Sequence, residues 1–485
     1  TAGGCNGNIS GSTAYEPGSG TTIVAYPGLC GTHDIQANRD FYYHNASIQT
    51  IIDHTRNGGG TCAALVDNMN AEPSSVPPVG GFSIPIGTPF MLTGFGNDAD
   101  GDSLTYCWEQ YNLGPSGHPD FPIGDAPIFR SFPPSNSQTR IFPRIENVLA
   151  NFQQRGELLP TYSRNLTFRL TVRDQQGGVT FNSVSFEASE VGGPFLVTYP
   201  NSILNWTIGT YEEITWDVAN TTLPPINCEK VNIHLSTDGG FTFPHFIASD
   251  VPNDGSEIII VPNLPSDSVR LRVSAADNIF FDLSNQNFTI ESATEPGVSV
   301  FFGTDDAGIC ADGGTELSLL TTSLLSFSDT VNLIAGGLPP GISINYSPNP
   351  FFPGDTVQLS FLGDGTTPVG SYPISVSAIG TGIVPATNSL TLLVSDQLPG
   401  AITQFSPANG SNGVATETSF GWAVANDAQT YRFELATSPA FGASIIASSD
   451  ELVDPEFFLS FPLAPNTTYY WRSWATNICG DGPQG

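Results

Sequence analysis

The chain has 485 residues and is strongly acidic, with 46 acidic and 14 basic residues and a formal net charge of −32 at pH 7. A protein that binds a phosphate backbone must replace condensed counterions with its own cations, so this charge excludes nucleic acid as a partner. A membrane-spanning segment is excluded as well, because no apolar run in the sequence reaches the length that a bilayer requires.

The first 72 residues are irregular and glycine-rich, and they are predicted to form a tail with one helix. The helix is expected from about Asp34 to Thr55, because Ile48, Ile51 and Ile52 recur at helical spacing. Three glycines at positions 58–60 should end it.

A tight turn is predicted within this tail at Thr22-Ile23-Val24-Ala25-Tyr26, directly after the loop Ala14–Gly20. The segment resembles the turn that lies beneath the zinc ligands of reprolysin-like metzincin proteases, and the resemblance runs from Gly3 to about Ala63. It implies the C-terminal part of a secreted bacterial zinc metalloendopeptidase, of the group that uses type IX secretion and appends β-sandwich modules. Val24 departs from the family pattern, which has Met at that position.

The resemblance does not extend to the zinc ligands. The motif H-E-x-x-H-x-x-G-x-x-H does not occur in the sequence, and no two histidines are four residues apart. Zinc hydrolases need three protein ligands and an open water position, so we expect no catalytic residue in this chain. Zinc would belong to an upstream segment, and whether the parent protein is an enzyme stays open. The six histidines are His33, His44, His54, His118, His234 and His245.

Seven cysteines, none of them in a Cys-x-x-Cys pair, favour disulfides over a zinc site or a redox motif. Cys5 and Cys30 flank the metzincin-like turn and are expected to form one bridge. A second bridge, between Cys62 and Cys107, would tie the tail to the next domain, although spacing alone does not fix connectivity. The other three cysteines each fall alone in a separate predicted domain: Cys228, Cys310 and Cys479.

After the tail, the sequence predicts a series of β-sandwiches. The first occupies 73–190, where strands such as 166–172 alternate apolar and polar residues, and a long Pro- and Phe-rich insertion at 114–160 is a candidate interdomain or partner contact. The second occupies 191–292. Within it, Ser236–Phe243 has the pattern of an Asp-box, in which Asp and Ser side chains bond the backbone of a hairpin.

The last two predicted domains lie at 293–395 and 396–485. In the final one, 418–422 and 463–472 resemble the buried-Trp strand and the tyrosine corner of a fibronectin type III domain, and the closing strand would follow Gly485. The preceding sandwiches resemble Ig-like domains, and the first of them also resembles a PKD domain. We therefore predict a mainly β protein, with tandem β-sandwich modules after an irregular, partly helical tail at 1–72.

Asp98, Asp100 and Asp102 are a candidate calcium site. They lie at i, i+2 and i+4 with Gly101 in the turn, and carboxylates at this spacing supply the oxygen ligands that calcium prefers. The alternative is a turn in which the carboxylates bond their own backbone. Calcium is the one possible cofactor that these residues indicate.

Four Asp-Ser/Thr-aliphatic triplets resemble the O-glycosylation signal of the bacteria that use type IX secretion. The candidate acceptors are Ser103, Ser268, Thr330 and Thr356.

Two functions from different classes fit these observations. The first is a fragment of a secreted multidomain metalloendopeptidase whose sandwiches act as stalk or targeting elements. The alternative is a non-catalytic extracellular structural, filament or adhesin protein that kept a degenerate metzincin domain. Both place the chain outside the cell or at its surface, where its partners would be extracellular proteins, surfaces or copies of itself.

Overall fold

The computed structural model describes residues 5, 7, 10–62, 64, 68–304, 306–459 and 461–484, without the side chains of Thr61 and Cys62. The fold is mainly β, as predicted, and its sheets pack as sandwiches. The chain divides into two compact units, Thr1–Ile208 with Glu212–Ser292 and Gly209–Tyr211 with Ala293–Gly485. No helix in the described residues has the length and apolar character needed to cross a bilayer.

The tail contains helix α1, Asn45–Asn57. This helix begins at Asn45 and not near Asp34, because His44 caps it: the His44 Nδ1 accepts a hydrogen bond from the backbone N–H of Ala46 at 3.2 Å. Short 3-10 turns lie at Gly31–His33 and Gly59–Cys62.

The isoleucines that predict α1 do not face a hydrophobic core. Ile51 is 45% exposed, and Ile48 and Ile52 are only half-buried. Asn45, at the first helical position, is the one α1 residue that is buried. The contacts that fix this helix are therefore those of its N-terminus.

The first sandwich contains a four-stranded sheet and two two-stranded sheets. The large sheet has the order β2-β8-β7-β5, and the small ones pair β1 with β4 and β3 with β6. The elements are β1 Ser74–Val76, β2 Ser83–Pro85, β3 Phe90–Thr93, β4 Phe95–Asn97, β5 Thr105–Gln110, β6 Thr139–Phe142, α2 Ile145–Leu149, β7 Arg164–Arg173 and β8 Val179–Ser189.

The insertion at 114–160 is part of this sandwich and not only a surface loop. It supplies β6, α2 and the buried side chains of Ile128, Phe129 and Phe142. The Phe129 and Phe142 rings lie 5.2 Å apart, and both contact Phe168 of β7. Burial of these aromatic rings stabilises the segment, which explains why a chain of low strand character is ordered here.

The second sandwich packs a three-stranded sheet, β14-β11-β9, on a larger sheet of order β10-β17-β15-β12-β13, in which β16 also pairs with β15. One hydrophobic cluster runs from Ile84 to Ile290 through both sandwiches, so they share a core. The strands are β9 Leu196–Tyr199, β10 Asn205–Thr207, β11 Tyr211–Asp217, β12 Lys230–Ser236, β13 His245–Pro252, β14 Ser256–Ile260, β15 Ser266–Ala275, β16 Phe281–Leu283 and β17 Phe288–Glu291.

The second compact unit begins with a sandwich of two four-stranded sheets, β18-β20-β23-β22 and β19-β25-β24-β21. Its core is a cluster of aliphatic and Phe side chains between Val298 and Val394. The strands are β18 Gly297–Phe301, β19 Asp306–Cys310, β20 Gly314–Leu324, β21 Asn332–Gly336, β22 Ile342–Ser347, β23 Val357–Gly363, β24 Gly370–Ile379 and β25 Ala386–Ser395.

The last sandwich has sheets of order β26-β27-β30 and β29-β28-β31-β32 around a buried Trp422. The Tyr469 hydroxyl accepts a hydrogen bond from the backbone N–H of Ala464 at 3.0 Å, which is the contact of a tyrosine corner. The elements are β26 Gln404–Ser406, β27 Ser419–Trp422, β28 Thr430–Ala436, β29 Ile445–Leu452, β30 Glu456–Phe458, β31 Tyr470–Asn477 and β32 Gly480–Asp481, with a 3-10 turn at Gly442–Ser444.

Candidate functional site

The metzincin-like turn is held by one carboxylate. Glu16 Oε1 accepts from the backbone N–H groups of Thr21 and Thr22 at 2.8 and 3.1 Å, and its Oε2 accepts from the Thr22 hydroxyl at 2.7 Å. The Ala25 N–H then closes the turn on the Thr22 carbonyl at 3.0 Å. Val24, the residue in the Met position, is 59% exposed.

A cavity of about 590 Å³ lies against this turn. Val24, Ala25 and Tyr26 of the turn line it, together with Ile51 and neighbouring residues of α1. The volume is in the range of small-ligand sites. Its charged lining residue is Glu16, whose two oxygens are already occupied by the turn.

The tail is bound to the first sandwich through a buried glutamate. Glu109 lies on β5, where residues on both faces of the strand are buried. Its Oε2 accepts from the backbone N–H of Asn45 at 2.9 Å, and its Oε1 accepts from the Ser131 hydroxyl at 2.6 Å. A carboxylate at the N-terminus of a helix is favoured by the unsatisfied N–H groups and by the helix dipole. This contact therefore fixes the start of α1 on the sheet.

The Asn45 side chain completes the contact with the neighbouring strand β7. Its Nδ2 donates to the Thr171 hydroxyl at 2.7 Å, and its Oδ1 accepts from Arg169 at 2.6 Å. The Arg169 guanidinium lies 3.6 Å from the ring centroid of Tyr111, which stacks on Tyr15 at 4.2 Å. Burial and the Tyr111 hydrogen bond raise the pKa of Tyr15 to about 12. The sequence gives no sign of this network, because alternation along β5 predicts an exposed Glu109.

Two arginines of the insertion hold the loop that precedes α1. Arg130 donates to Asp40 at 3.0 Å and also to Gln36. Arg155 is paired with Asp120 and donates to the Thr32 carbonyl at 2.9 Å. These contacts join the insertion to the tail, and a contact of the insertion with a separate partner stays a prediction.

The histidines are dispersed in the described residues, apart from one pair. His33 and His118 lie edge to face at 4.7 Å, and burial followed by the charge of His118 lowers the pKa of His33. His44 contacts Glu109 at 3.9 Å and caps α1. Among the described residues, the group of three metal-ligating side chains that the structure brings together is the acidic turn at Asp98, Asp100 and Asp102.

In that acidic turn, one ligand oxygen from each aspartate lies within 4.8 Å of the others. Asp98 Oδ1 accepts from the backbone N–H groups of Asp100 and Asp102 at 2.9 and 3.1 Å, which is the self-bonded arrangement. Asp98 Oδ2, however, is buried without a partner among the described residues. Burial and the charges of Asp98 and Asp100 raise the pKa of Asp102. The turn satisfies one oxygen of Asp98, and calcium binding here stays a prediction.

Two disulfides are present in the described residues. One joins Cys5 to Cys30. The other joins Cys310 to Cys479, each of them the single cysteine of its own sandwich, and this pairing is one that the sequence analysis did not predict. Their side chains meet because the turn before β32 lies against β19, where Ile478 contacts Gly308.

The predicted bridge between Cys62 and Cys107 is also wrong, because Cys107 is a free, buried thiol. It lies on β5 and donates to the Phe132 carbonyl at 3.3 Å, and burial raises the pKa of the thiol to about 12. The Cys62 side chain lies outside the described part of the chain. Cys228 is likewise free and buried.

The Asp-box residues form a self-bonded hairpin. Asp238 accepts from the N–H groups of Phe241 and Thr242, both at 3.0 Å, and from the Thr242 hydroxyl at 2.7 Å. Although burial opposes it, this set of donors, which includes the Ser236 hydroxyl, lowers the pKa of Asp238 to about 2. The motif is therefore structural here.

The candidate glycosylation sites differ in exposure. Ser103, Thr330 and Thr356 are exposed, which an enzymatic modification requires. Ser268 is half-buried, and its hydroxyl donates to Asp267 at 3.0 Å. Glycosylation at all four positions stays a prediction.

No family model matches the sequence, and no curated protein matches it. Among solved structures, matches include the FN1–FN3 domains of chicken CNTN1, with 16% identity over 61% of this chain and 95% of that one and a TM-score of 0.26. Sidekick-1 immunoglobulin domains 1–4 match with 12% identity over 85% of this chain and 97% of that one, with a TM-score of 0.22. The names of these two structures describe tandem fibronectin and immunoglobulin domains.

Proposed function

We propose that this chain is a non-catalytic extracellular scaffold, in which Ig-like and fibronectin-like modules hold or space other components at a cell surface. The observation that carries the proposal is that the tail packs on the first sandwich through buried polar contacts. The Glu109 carboxylate and Arg169 bind Asn45, so the segment that resembles a protease serves as an added layer on the first sandwich.

The covalent links support an extracellular location. Disulfides persist in oxidising compartments, and the Cys310–Cys479 bridge connects the two sandwiches of the second unit. The free cysteines Cys107 and Cys228 are buried with pKa values raised to about 12, so neither offers a reactive thiolate at neutral pH. A disulfide between two sandwiches suits a protein that bears mechanical load between its modules.

Single-molecule force spectroscopy tests this proposal. If the tail is a layer of the first sandwich, both should unfold in one event at the force of a β-sandwich. A tail that peels away at low force before the sandwich opens would contradict a load-bearing role. The Glu109→Gln variant should show that early peeling, whereas the exposed-site variant Glu146→Gln should not.

A second candidate function is a fragment of a zinc metalloendopeptidase. The observation that favours it is the Glu16-bound turn, which presents the exposed Val24 to a cavity of about 590 Å³. Zinc would be held by residues upstream of this chain. The test is the gene sequence before the Thr1 codon together with a peptidase assay of the natural protein. An intact H-E-x-x-H-x-x-G-x-x-H with zinc-dependent cleavage supports this candidate, and its absence contradicts it.

For residues 1–485, we expect no tight zinc binding. Atomic absorption after dialysis measures the zinc that the protein retains. One equivalent of zinc per chain would contradict this expectation and show that the dispersed histidines form a zinc site.

We also propose that Asp98, Asp100 and Asp102 hold a calcium ion that stiffens the first sandwich. Two observations support the proposal: Asp98 Oδ2 has no partner among the described residues, and the pKa of Asp102 is raised. A bound cation would give the Asp98 oxygen a partner and would offset the repulsion between the carboxylates. Asp100 also accepts a hydrogen bond from the Ala71 N–H at 2.6 Å, so the turn adjoins the end of the tail.

A further inference from the structure

The outer face of the large sheet in the second sandwich carries two arginines that have no carboxylate partner in the part of the chain that the structure describes. Arg270 and Arg272 lie two residues apart on β15, on the face opposite the core residues Val269, Leu271 and Val273. In a chain with 14 basic and 46 acidic residues, two neighbouring arginines on one strand face without a carboxylate among the described residues are unexpected.

The two arginines are not equivalent. Arg270 is satisfied by neutral acceptors, since it donates to Asn287 Oδ1 at 2.6 Å and to the Ser284 carbonyl. Arg272 has its Cζ atom 4.8 Å from the centroid of the Phe243 ring, and its Nε is buried without an acceptor among the described residues. Burial lowers the pKa of Arg272 to about 10, and no carboxylate of the described chain offsets it.

A second unsatisfied group lies directly across the strand pair. His234 of β12 is in register with Arg272, and its Nδ1 is also buried without a partner among the described residues. Its ring packs edge to face on Phe246 of the edge strand β13, at 4.4 Å. Burial, and then the charge of Arg272, lowers the pKa of His234 to about 4, so the ring is neutral at pH 7.

Buried polar groups without partners are costly, and most native proteins satisfy them with protein, water or ligand atoms. The Nε–H of Arg272 is a hydrogen-bond donor, and so is the Nδ1–H of His234 in the tautomer that carries this proton. Both need acceptor oxygens on the same face of the sheet. Phe243 and the 55% exposed Phe246 flank them with apolar surface. These groups match a ligand that has oxygens on a planar anionic group and an apolar or carbon-rich remainder.

We propose that Arg272 and His234 form a binding site for a carboxylate group. A guanidinium fork accepts a planar carboxylate through two parallel hydrogen bonds, and the histidine supplies a third donor. A doubly charged phosphate or sulfate is less well matched, because one arginine and one neutral histidine supply a single positive charge. The proposal does not depend on whether the chain is a scaffold or part of a peptidase.

Titration monitored by NMR tests the proposal on the intact chain. With ¹³C-labelled histidine, the His234 ring signals should shift in a saturable way as N-acetyl-L-glutamate or D-glucuronate is added at constant ionic strength. The two probes represent the two possible sources of the carboxylate: N-acetyl-L-glutamate stands for an acidic side chain, and D-glucuronate stands for an acidic sugar. Tighter binding of either one identifies the source, and equal binding shows that the site recognises the carboxylate alone.

The Arg272→Met variant should weaken the binding of both probes by about tenfold or more, the loss typical of a charge-assisted hydrogen bond. The control Arg144→Met removes an exposed arginine of the same unit, which pairs with Glu146, and should leave binding unchanged. The Arg272→Met variant should remain folded, because it replaces an uncompensated buried cation by an apolar chain.

If Arg272→Met does not fold, Arg272→Lys and His234→Gln provide the same test, because each removes part of the donor set. The proposal is overturned if neither probe shifts the His234 signals at millimolar concentration. It is equally overturned if a foldable variant at position 272 or 234 binds both probes as tightly as the unmodified chain.

Discussion

The carboxylate of Glu109 accepts a hydrogen bond from the backbone N–H of Asn45 at 2.9 Å, and this contact joins the first residue of α1 to the C-terminal end of β5. Because Glu109 is fully buried, its oxygens have no water to replace a lost partner. The tail and the first sandwich should therefore lose stability together when this contact is broken.

The Glu109→Gln variant should lower the free energy of unfolding by about 1–3 kcal/mol, the cost of an unsatisfied buried polar group. An amide places an N–H₂ group against the Asn45 N–H or the Ser131 hydroxyl, both of which donate in the present structure. Urea denaturation measures the loss, and limited proteolysis should show faster cleavage in the loop before α1. Glu146→Gln, at an exposed ion pair, is the control, and equal stability of the two variants would contradict the role of Glu109.

Calcium should raise the melting temperature of the first unit, because an ion that binds only the folded turn stabilises it by mass action. The Asp102→Asn variant should reduce that rise, since it removes one charge without removing the hydrogen bonds that Asp98 makes to the turn. Differential scanning calorimetry in calcium and in chelator makes the comparison. Identical curves for the unmodified chain would end the calcium proposal, and Asp254→Asn controls for loss of charge elsewhere.

Replacing Cys310 and Cys479 by serine should destabilise the second unit by about 2–5 kcal/mol, the range expected when a native disulfide is removed. The bridge spans 169 residues, so it restricts the unfolded chain over a long loop. Thermal unfolding with and without reductant measures the effect. Reductant should lower the melting temperature of this unit in the unmodified chain and leave that of the double variant unchanged. Cys228→Ser, at a free thiol, serves as the control for reductant sensitivity.

Asp282 should make the second sandwich less stable as the pH rises through neutrality. Burial raises the pKa of this carboxyl to about 7, above the 3.8 expected of the unfolded chain. Between pH 3.8 and about pH 7 the folded state therefore binds more protons than the unfolded state. The contribution of Asp282 to stability is fully present below about pH 4 and is lost as the pH rises through 7.

The Asp282→Asn variant imitates the protonated acid, which can still accept from the Val197 N–H. It should raise the melting temperature at pH 8 more than at pH 5. A melting-temperature difference that is the same at both pH values would show that Asp282 does not titrate in this range.

Local sequence patterns predicted much of the fold. Alternation along 166–172 predicted β7, and the run 463–472 predicted a tyrosine corner, which Tyr469 forms with the backbone of Ala464. Both follow from interactions between residues close in the chain, for which periodicity and spacing are informative.

The parts that sequence did not predict depend on contacts between distant residues. Glu109 has the alternation of an outward-facing residue, and it is buried only because residues near Asn45 fold back over β5. The partners Cys310 and Cys479 lie in different sandwiches, so spacing gave no reason to pair them. Arg272 and His234 are ordinary polar residues of strands in the sequence, and only the strand register pairs these two residues, each of which has an unsatisfied nitrogen.

The Cys310–Cys479 bridge also changes what a single backbone cut does to this protein. Any peptide bond broken between these two residues opens a loop whose ends remain joined through sulfur, so both pieces stay in one covalent molecule. A surface protease that makes one cut in an exposed turn between Cys310 and Cys479 would therefore release no fragment, and the chain on either side of the cut would remain tethered until the disulfide itself is reduced.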